Sequence, residues 1–369
     1  MSTSLDQLHA EDTHDFVTTY TPRGKADLQT LKGILEANRE FFTRKIAERG
    51  VILFRGFGVN EHHRDFHDLV INGMGMESWN GFNLKKTPGF ITSWLRKYSE
   101  GLLGGGDYRR YLDKDTVKLG PVENSIQGPH TEGGVRSQRS RYIALCCFEP
   151  SPYLAETGMA DLHEAWKGLP EPLREKFTRG WNRYSYRSGR KLNLLDRIIL
   201  PMSPFNVLKR DDGFADLALT PCPASCAVPE NGKICLQPWA FANNTNPQVQ
   251  RAAQEVFTGR GEIGRDSTAE SMALTWDLCD EQGNQIEWTE DEQKTLFETI
   301  FRKALLMQWE KGDIAFVDNI RIGHWRMNGE QGNRKLVQIQ ATAFDAAPYH
   351  PSRIAGKPAE PEPALQPSI

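Results

Sequence analysis

The stretch Gln127-Gly128-Pro129-His130-Thr131-Glu132-Gly133-Gly134 sets an imidazole and a carboxylate two residues apart. In an extended strand, residues i and i+2 project to the same face, so His130 and Glu132 can bind one ion together. Gly133 and Gly134 allow the chain to turn away directly afterwards. A His-x-Glu tripeptide alone is too short to identify a metal site, so further ligands must come from elsewhere in the chain.

A second imidazole stands far downstream, in Asp318-Asn319-Ile320-Arg321-Ile322-Gly323-His324, and Arg334 follows ten residues later. Two His and one carboxylate form the facial triad that holds non-haem Fe(II) and leaves positions open for other ligands. We therefore predict that His130, Glu132 and His324 hold one Fe(II). The remaining histidines are expected to be ordinary structural residues: His9, His14, His62, His63, His67, His163 and His350.

With this distal segment the chain resembles the Fe(II)- and 2-oxoglutarate-dependent oxygenases of the taurine dioxygenase and clavaminate synthase type. That family carries His-x-Asp or His-x-Glu, a distal His and a later Arg, and it has a Gly-Asp turn and an Asp-Asn pair before the distal His. Gly312-Asp313 and Asp318-Asn319 match these two pairs. The resemblance runs from about residue 45 to 345 and is weakest over 180–270.

Two further matches support the resemblance. Thr157 lies 27 residues beyond His130, in Ala155-Glu156-Thr157, which resembles the Gly-Asp-Thr of the taurine dioxygenase branch. Arg55-Gly56-Phe57 looks like the end of the family's early core strand.

The resemblance implies both a fold and a set of roles. The fold is mainly β with flanking helices, a double-stranded β-helix (a cupin-like jelly roll) with a large insertion between the metal-ligand segments. Arg334 is expected to hold the distal carboxylate of 2-oxoglutarate, because a planar guanidinium pairs bidentately with a carboxylate. Thr157 is expected to add a hydroxyl hydrogen bond. The implied co-substrates are 2-oxoglutarate and O₂, and the co-products are succinate and CO₂.

Glu132 bears on the outcome of the reaction. Members of the family that halogenate have Gly or Ala at this position, so a carboxylate there predicts hydroxylation. Desaturation, epoxidation and ring closure use the same ligands and stay open as alternatives. A non-catalytic ligand-binding jelly roll is the alternative from another class. One departure is Trp325, which replaces the Gly of the family's His-Gly-Arg and leaves the path of Arg326 open.

The expected substrate is a small polar molecule. The segment 280–309 resembles the branch that oxidises amino acids and related metabolites in secondary metabolism, acting on free or carrier-protein-tethered substrates. Gln127, Arg326, Arg109 and Arg110 are candidates to meet a substrate carboxylate, and each can equally be a surface or structural residue.

Bulk properties exclude several classes of function. The 369 residues are 38% hydrophobic and 25% charged, which is typical of a globular chain. A net charge of −3 argues against nucleic-acid binding. No apolar run is long enough for a membrane span and the N-terminus lacks a secretory pattern, so a cytoplasmic location is expected. The six cysteines are expected to be reduced, and Cys222-x-x-x-Cys226 lacks the second ligand pair of a zinc site.

The chain is expected to form a single oxygenase domain over residues 1–350. Residues 75–120, rich in Gly, aromatic and basic residues, are interpreted as a covering lid or an ordinary surface insertion. Residues 180–270 are expected to be an insertion and residues 351–369 a disordered tail. Further expectations are an N-terminal arm with one short strand, one helix over 27–49 that ends at Gly50, and a helix capped by Thr289 and Glu292.

Overall fold

Two β-sheets pack face to face at the centre of the molecule, and helices cover both outer faces. The computed structural model describes residues 4–59, 62–79, 94, 98, 110–113, 115–120, 125–202, 205–240, 247–260 and 274–354. The strands are β1 Leu8–His14, β2 Val17–Pro22, β3 Val51–Phe54, β4 Arg110–Tyr111, β5 Thr116–Lys118, β6 Gln138–Glu149, β7 Thr157–Asp161, β8 Trp181–Arg187, β9 Phe205–Asp211, β10 Phe214–Leu219, β11 Cys222–Pro223, β12 Ser225–Ala227, β13 Ile234–Leu236, β14 Leu274–Cys279, β15 Gln285–Ile286, β16 Ala304–Met307, β17 Ile314–Asp318, β18 Ile322–Arg326 and β19 Lys335–Asp345.

The helices alternate with these strands along the chain. They are α1 Leu28–Ala37, α2 Arg39–Arg49, α3 His63–Asp68, α4 Leu162–Gly168, α5 Glu171–Arg179, α6 Leu194–Ile199, α7 Pro247–Val256, α8 Glu290–Phe301 and α9 Pro351–Ile354. Helix α3 continues as a π-helix over Leu69–Gly73. None of the described helices has the length and apolar character needed to cross a membrane.

In the described part of the chain, the large sheet has eight strands in the order β1-β2-β3-β17-β6-β19-β5-β4, and the small sheet has three in the order β16-β7-β18. Strand β6 shows how the layers form, because its buried residues alternate between two hydrophobic clusters. Ala144, Cys146 and Phe148 pack with helices α1–α3 on the outer face. Ile143, Leu145 and Cys147 face the small sheet and meet Met159, Met307 and Ile322 there.

Helices α4, α5, α7 and α8 cover the outer face of the small sheet, where Ala160 and Trp325 join their apolar residues in one cluster. These layers agree with the jelly-roll class predicted from the sequence.

The described residues between the metal-ligand regions build a separate six-stranded sheet. Strands β15-β14-β8-β10-β9 pair in that order, and β11 adds to β8. Its core is aromatic, with Tyr184 and Tyr186 buried beside Leu217. Three arginines of its locally basic stretch form ion pairs: Arg183 with Asp277, Arg187 with Asp216, and Arg190 with Asp196. These ion pairs compensate the charges of three of the arginines.

Three local expectations were wrong. The single helix over 27–49 is divided at Asn38, whose backbone leaves the helical region (φ −132°, ψ 32°) and whose Nδ2 donates to the Ile34 carbonyl (2.8 Å). The N-terminal arm forms two strands, β1 and β2, instead of one. The expected tail begins with the helical turn α9, in which Pro351 is buried, and residues 355–369 lie outside the described residues.

Two helix ends are as predicted. Gly50 ends α2 with a positive φ of 100°, a conformation that glycine adopts without strain. Thr289 and Glu292 form a reciprocal capping box at the start of α8.

Candidate metal centre

A backbone bridge brings the two predicted histidine ligands together. The N–H of His130 donates to the carbonyl of His324 (3.1 Å), and the N–H of His324 donates back to the carbonyl of His130 (2.9 Å). Their ring centroids lie 4.4 Å apart. His324 is on β18 of the small sheet, so this bridge attaches the His130 segment to the edge of that sheet.

The Glu132 carboxylate completes a group of three. One potential ligand atom from each of His130, Glu132 and His324 lies within 4.8 Å of the other two, and all three residues are buried. Glu132 Oε2 lies 3.9 Å from His324 Nε2. Among the described residues, this is the one group of three or more His, Cys, Asp or Glu with such a spacing.

The tautomer of His130 is set by its surroundings. Nδ1 lies 2.9 Å from the carbonyl of Gly128, so Nδ1 carries the proton and Nε2 presents its lone pair. Gly128 has no room for a side chain, because a Cβ there would overlap the carbonyl of Ala240. The glycine before the ligand pair therefore allows close approach of two backbone segments.

The local structure differs from the extended strand predicted for this pair. His130 forms isolated bridges to His324 and Trp239, and Glu132 already lies in a turn. Gly133 continues the turn with φ 73°. The ligand atoms of His130 and Glu132 lie close together although the two residues do not belong to one continuous strand.

The side chain of Asn319 forms hydrogen bonds with the backbone of this turn. The N–H of Glu132 donates to Asn319 Oδ1 (2.7 Å), and Asn319 Nδ2 donates to the carbonyls of Glu132 (3.0 Å) and Ser140 (2.8 Å). Asn319 is fully buried, so its amide replaces a strand partner for the residue that carries the carboxylate.

Gln340 approaches the same carboxylate from the large sheet. Its Nε2 donates to Glu132 Oε1 (3.2 Å). In β19, Leu336 faces the core between the sheets, whereas Val337 and Ile339 face the outer helices. Gln340 is therefore on the inward face, as is the buried Gln338.

The two residues predicted to bind 2-oxoglutarate, Thr157 and Arg334, are both buried. Thr157 on β7 is the direct Cα partner of Arg326 on β18. Burial and the charge of Arg326 lower the pKa of Arg334 to about 10. Arg334 also lines a narrow cavity with Trp309, and Nη1 donates to the carbonyl of Gly120 (3.4 Å). Two neighbouring guanidinium groups in a desolvated region favour the binding of anions.

The remaining motif residues connect the elements that carry the site. Arg55 donates from Nε and Nη2 to the two carboxylate oxygens of Asp313 (2.8 and 2.7 Å), which joins the end of β3 to the turn before β17. Asp318 forms a buried ion pair with Arg141 and accepts the N–H of Ile320 (2.9 Å). These contacts give Arg-Gly-Phe, Gly-Asp and Asp-Asn structural roles.

The two residues before Thr157 are constrained, one by an ion pair and the other by its backbone conformation. Glu156 forms a bidentate pair with Arg260 (2.8 Å for each contact). Ala155, at the position of glycine in the resembled Gly-Asp-Thr, has a φ of 58°, a region that favours glycine.

Trp325, the departure after the distal histidine, is buried beside helix residues, and Nε1 donates to Met327 Sδ (3.1 Å). Opposite it on β7 stands Gly158, where any Cβ would overlap the indole. The bulky residue on one strand is thus matched by a glycine on the next. Arg326 then turns towards Ser125, and Nη2 donates to its carbonyl (3.3 Å).

The other candidates are more distant or outside the described residues. The N–H of Gln127 donates to the carbonyl of Arg326 (2.9 Å), which brings its backbone to the site. Arg109 lies outside the described residues, and only the backbone of Arg110, in β4, is described. Most of the segment interpreted as a lid, including 80–93 and 99–109, is likewise outside them.

Among the residues that the structure describes, no cysteine belongs to a group with the spacing of metal ligands. All six are buried and free. The thiols of Cys222 and Cys226 donate to backbone carbonyls, of Gly134 (3.3 Å) and Ala227 (3.4 Å). Burial raises the pKa of both thiols to about 12, which keeps them protonated.

Sequence reasoning missed the roles of Gln340, Asn319 and Trp309. Gln338 and Gln340 occupy inward positions of β19, and two polar residues at alternate positions among apolar ones were a signal in the sequence. Asn319 was noted only as part of a motif, because its partner Glu132 is 187 residues away and no local pattern joins the two.

The donor set fits non-haem iron. Two imidazoles and one carboxylate are the ligands that Fe(II) oxygenases use, and a buried site with nearby guanidinium groups suits a dicarboxylate co-substrate. His130 and Glu132 are both buried and held by backbone contacts, so little reorganisation is needed on binding.

The comparisons with known proteins agree with this chemistry. The family model "Taurine catabolism dioxygenase TauD, TfdA family" matches residues 13–340. The structure of PvcB from Pseudomonas aeruginosa superposes with a TM-score of 0.53 at 10% identity, covering 93% of this chain and 95% of that one. This likeness shows the fold. No curated protein sequence matches the chain.

Two other solved structures are similar at lower scores. AAD-2, in complex with Mn(II) and N-oxalylglycine, has a TM-score of 0.48 at 12% identity and covers 91% of this chain and 97% of that one. A taurine dioxygenase from Burkholderia xenovorans has a TM-score of 0.47 at 12% identity and covers 92% and 90%.

Proposed function

The chain belongs to the taurine catabolism dioxygenase TauD, TfdA family, and on that premise we propose that it hydroxylates a small, acid-bearing substrate of the amino-acid type. Family membership makes it an Fe(II)- and 2-oxoglutarate-dependent oxygenase. We further assign the residues that bind the metal, the co-substrate and the substrate. The substrate is either free or tethered to a carrier protein.

The observation that carries the proposal is the convergence of His130, Glu132 and His324. Their ligand atoms lie within 4.8 Å of one another. His130 Nε2, His324 and Glu132 Oε2 are assigned to Fe(II). Because a carboxylate stands at position 132, no ligand position is left for a halide, and this supports hydroxylation.

Arg334 and Thr157 are assigned to the distal carboxylate of 2-oxoglutarate. The lowered pKa of Arg334 supports this, since an anion beside the buried guanidinium would stabilise its charged form. Arg326 lies two residues from His324 and lowers the pKa of Arg334 by its own charge. We assign Arg326, with Gln127 beside it, to a carboxylate of the substrate.

Fe(II) and 2-oxoglutarate, when bound, would supply the oxidising chemistry: one atom of O₂ would enter the substrate and the other the succinate that is formed, with CO₂, from 2-oxoglutarate. The chain's own residues orient the participants. Gln340 and Asn319 fix the Glu132 carboxylate and backbone, and Gly128 fixes the tautomer of His130. Burial of these residues excludes bulk water from the ligand side of the site.

A succinate-release screen tests the proposal. Candidate substrates are amino acids and carrier-bound aminoacyl groups, and products are read by mass, with hydroxylation adding one oxygen. Arg326→Gln should raise KM for the substrate at least tenfold and change the 2-oxoglutarate Kd much less, because the direct charged hydrogen bond that is lost is the one to the substrate. Substrates without an acid group turning over best, or an unchanged KM in Arg326→Gln, would contradict the assignment.

A further inference from the structure

The hydroxyl of Thr157 has a partner that was not expected from the sequence. Trp309 Nε1 lies 2.7 Å from Thr157 Oγ1, and both residues are buried. An indole N–H can only donate, so the direction of this hydrogen bond is certain and Thr157 Oγ1 is the acceptor. Trp309 also lines the narrow cavity that contains Arg334.

A second tryptophan–threonine pair in the protein has a hydrogen bond of the same direction, from indole N–H to hydroxyl oxygen, and serves as a comparison. Trp166 Nε1 donates to Thr178 Oγ1 (3.0 Å), and Thr178 Oγ1 then donates to the carbonyl of Arg174 (2.7 Å). The hydroxyl of Thr178 therefore uses both its acceptor and its donor capacity within the protein. The hydroxyl of Thr157 accepts in the same way, and among the described residues nothing receives its proton.

We propose that Trp309 is a positioning residue that fixes Thr157 as a hydrogen-bond donor and thereby makes the co-substrate site selective for 2-oxo dicarboxylic acids. With one lone pair occupied by the indole, the O–H of Thr157 points to an acceptor from outside the chain. A carboxylate is the strongest such acceptor, because hydrogen bonds to ionised groups are shorter and stronger. The inference rests on the proposed function, in which Thr157 meets the distal carboxylate of 2-oxoglutarate.

The sheet geometry supports the same role. Met307 of β16 and Arg326 of β18 are the two Cα partners of Thr157 on either side of β7. Trp309 lies two residues beyond the end of β16, so the strand that flanks Thr157 also places the indole. Loss of the indole N–H would free the hydroxyl to rotate and to donate elsewhere.

Binding measured without turnover tests the proposal. Mn(II) replaces Fe(II), and the Kd values of 2-oxoglutarate and of 2-oxobutyrate, which lacks the distal carboxylate, are measured by calorimetry. Trp309→Phe should weaken 2-oxoglutarate about three- to tenfold, the range for one neutral hydrogen bond. The Kd values of 2-oxobutyrate and of Mn(II) should stay within twofold. Trp166→Phe, which removes the matched bond elsewhere, should change none of them.

Thr157→Val distinguishes the binding of 2-oxoglutarate by Thr157 from the positioning of Thr157 by Trp309. It should weaken 2-oxoglutarate, and adding Trp309→Phe to it should have little further effect, because the two residues act through one hydrogen bond. Thr157→Ser should restore the affinity. If Trp309→Phe does not fold, Trp309→Met carries the same test, since methionine fills irregular space and has no donor.

The outcomes distinguish a failure of the role of Trp309 from a failure of the proposed co-substrate site. A wild-type 2-oxoglutarate Kd in folded Trp309→Phe, or an equal loss for both 2-oxo acids, overturns the role of Trp309. If Thr157→Val weakens 2-oxoglutarate in that case, the proposed co-substrate site still stands. If both Thr157→Val and Arg334→Gln bind 2-oxoglutarate as the wild type does, the co-substrate site itself is wrong and the inference falls with it.

Discussion

The carboxylate of Glu132 presents its two oxygens to different surroundings. Oε1 accepts a hydrogen bond from Gln340, and Oε2 faces His324 Nε2. This division favours one oxygen as the metal ligand and holds the carboxylate in a single rotation. Outer partners of this kind typically change metal affinity 10- to 100-fold when they are removed.

We therefore expect Gln340→Leu to weaken Fe(II) binding about tenfold while the protein stays folded, measured by anaerobic titration and thermal melting. Gln248→Leu is the matched control, because Gln248 Nε2 donates to Glu290 Oε2 (2.9 Å) between helices α7 and α8 and has no role at the site. Equal Fe(II) affinities in wild type and Gln340→Leu would remove Gln340 from the support of Glu132.

At the scale of elements, the turn that carries Glu132 depends on Asn319 at the end of β17. The buried amide of Asn319 accepts one hydrogen bond and donates two, and together these join the turn, β6 and β17. Each buried hydrogen bond contributes about 1 kcal/mol, and unpaired backbone groups add to the loss.

Asn319→Ala should lower the free energy of unfolding of the metal-free protein by about 3 kcal/mol, measured by urea denaturation, and should weaken Fe(II) binding as well. Asn284→Ala serves as the comparison, since Asn284 makes exposed contacts to Asp280 in the β14–β15 hairpin and should cost less than about 1 kcal/mol. A loss of stability in Asn319→Ala without any change in Fe(II) affinity would show that the turn finds its ligand geometry without the amide.

Strands β7 and β18 pair beside His324 with a glycine on β7 opposite a tryptophan on β18. Gly158 lies opposite Trp325, and a methyl group at 158 has no space unless the indole moves. Gly158→Ala should therefore destabilise the protein by about 3 kcal/mol, as overpacking in a buried sheet does. Gly158→Ala combined with Trp325→Ala should be less destabilised than the sum of the single variants, because the clash is gone.

The measurement is a double-mutant cycle by urea denaturation, and Gly168→Ala is a control at a helix end, where the new Cβ meets only Thr299 at 3.1 Å. Strict additivity of the two single effects would contradict a direct exchange between positions 158 and 325.

At the scale of the whole molecule, the jelly roll was predicted through the resemblance to the oxygenase family, which rests on a few short motifs that can be recognised locally. The sequence also predicted which residues to consider as ligands, since His-x-Glu, the distal His and Arg334 follow a recognisable order. The division of α1 and α2 at Asn38 and the sheet built by residues 181–286 depend on tertiary packing that no short pattern records. Gln340 and Trp309 act on residues more than 150 positions away, so their roles required the fold.

The central claim is that His130, Glu132 and His324 together hold Fe(II), and anaerobic titration of the metal-free protein tests it most directly. Wild type should bind one Fe(II) per chain and, with 2-oxoglutarate, develop the weak visible charge-transfer band of chelated iron. His130→Ala and His324→Ala should lose the band. Glu132→Ala should weaken Fe(II) binding by more than the 10- to 100-fold that is typical when a hydrogen-bond partner of a ligand is removed. His163→Ala, whose ring contacts the carbonyl of Ile234, should keep both. A folded variant of any of the three that retained wild-type Fe(II) affinity and the band would contradict the claim.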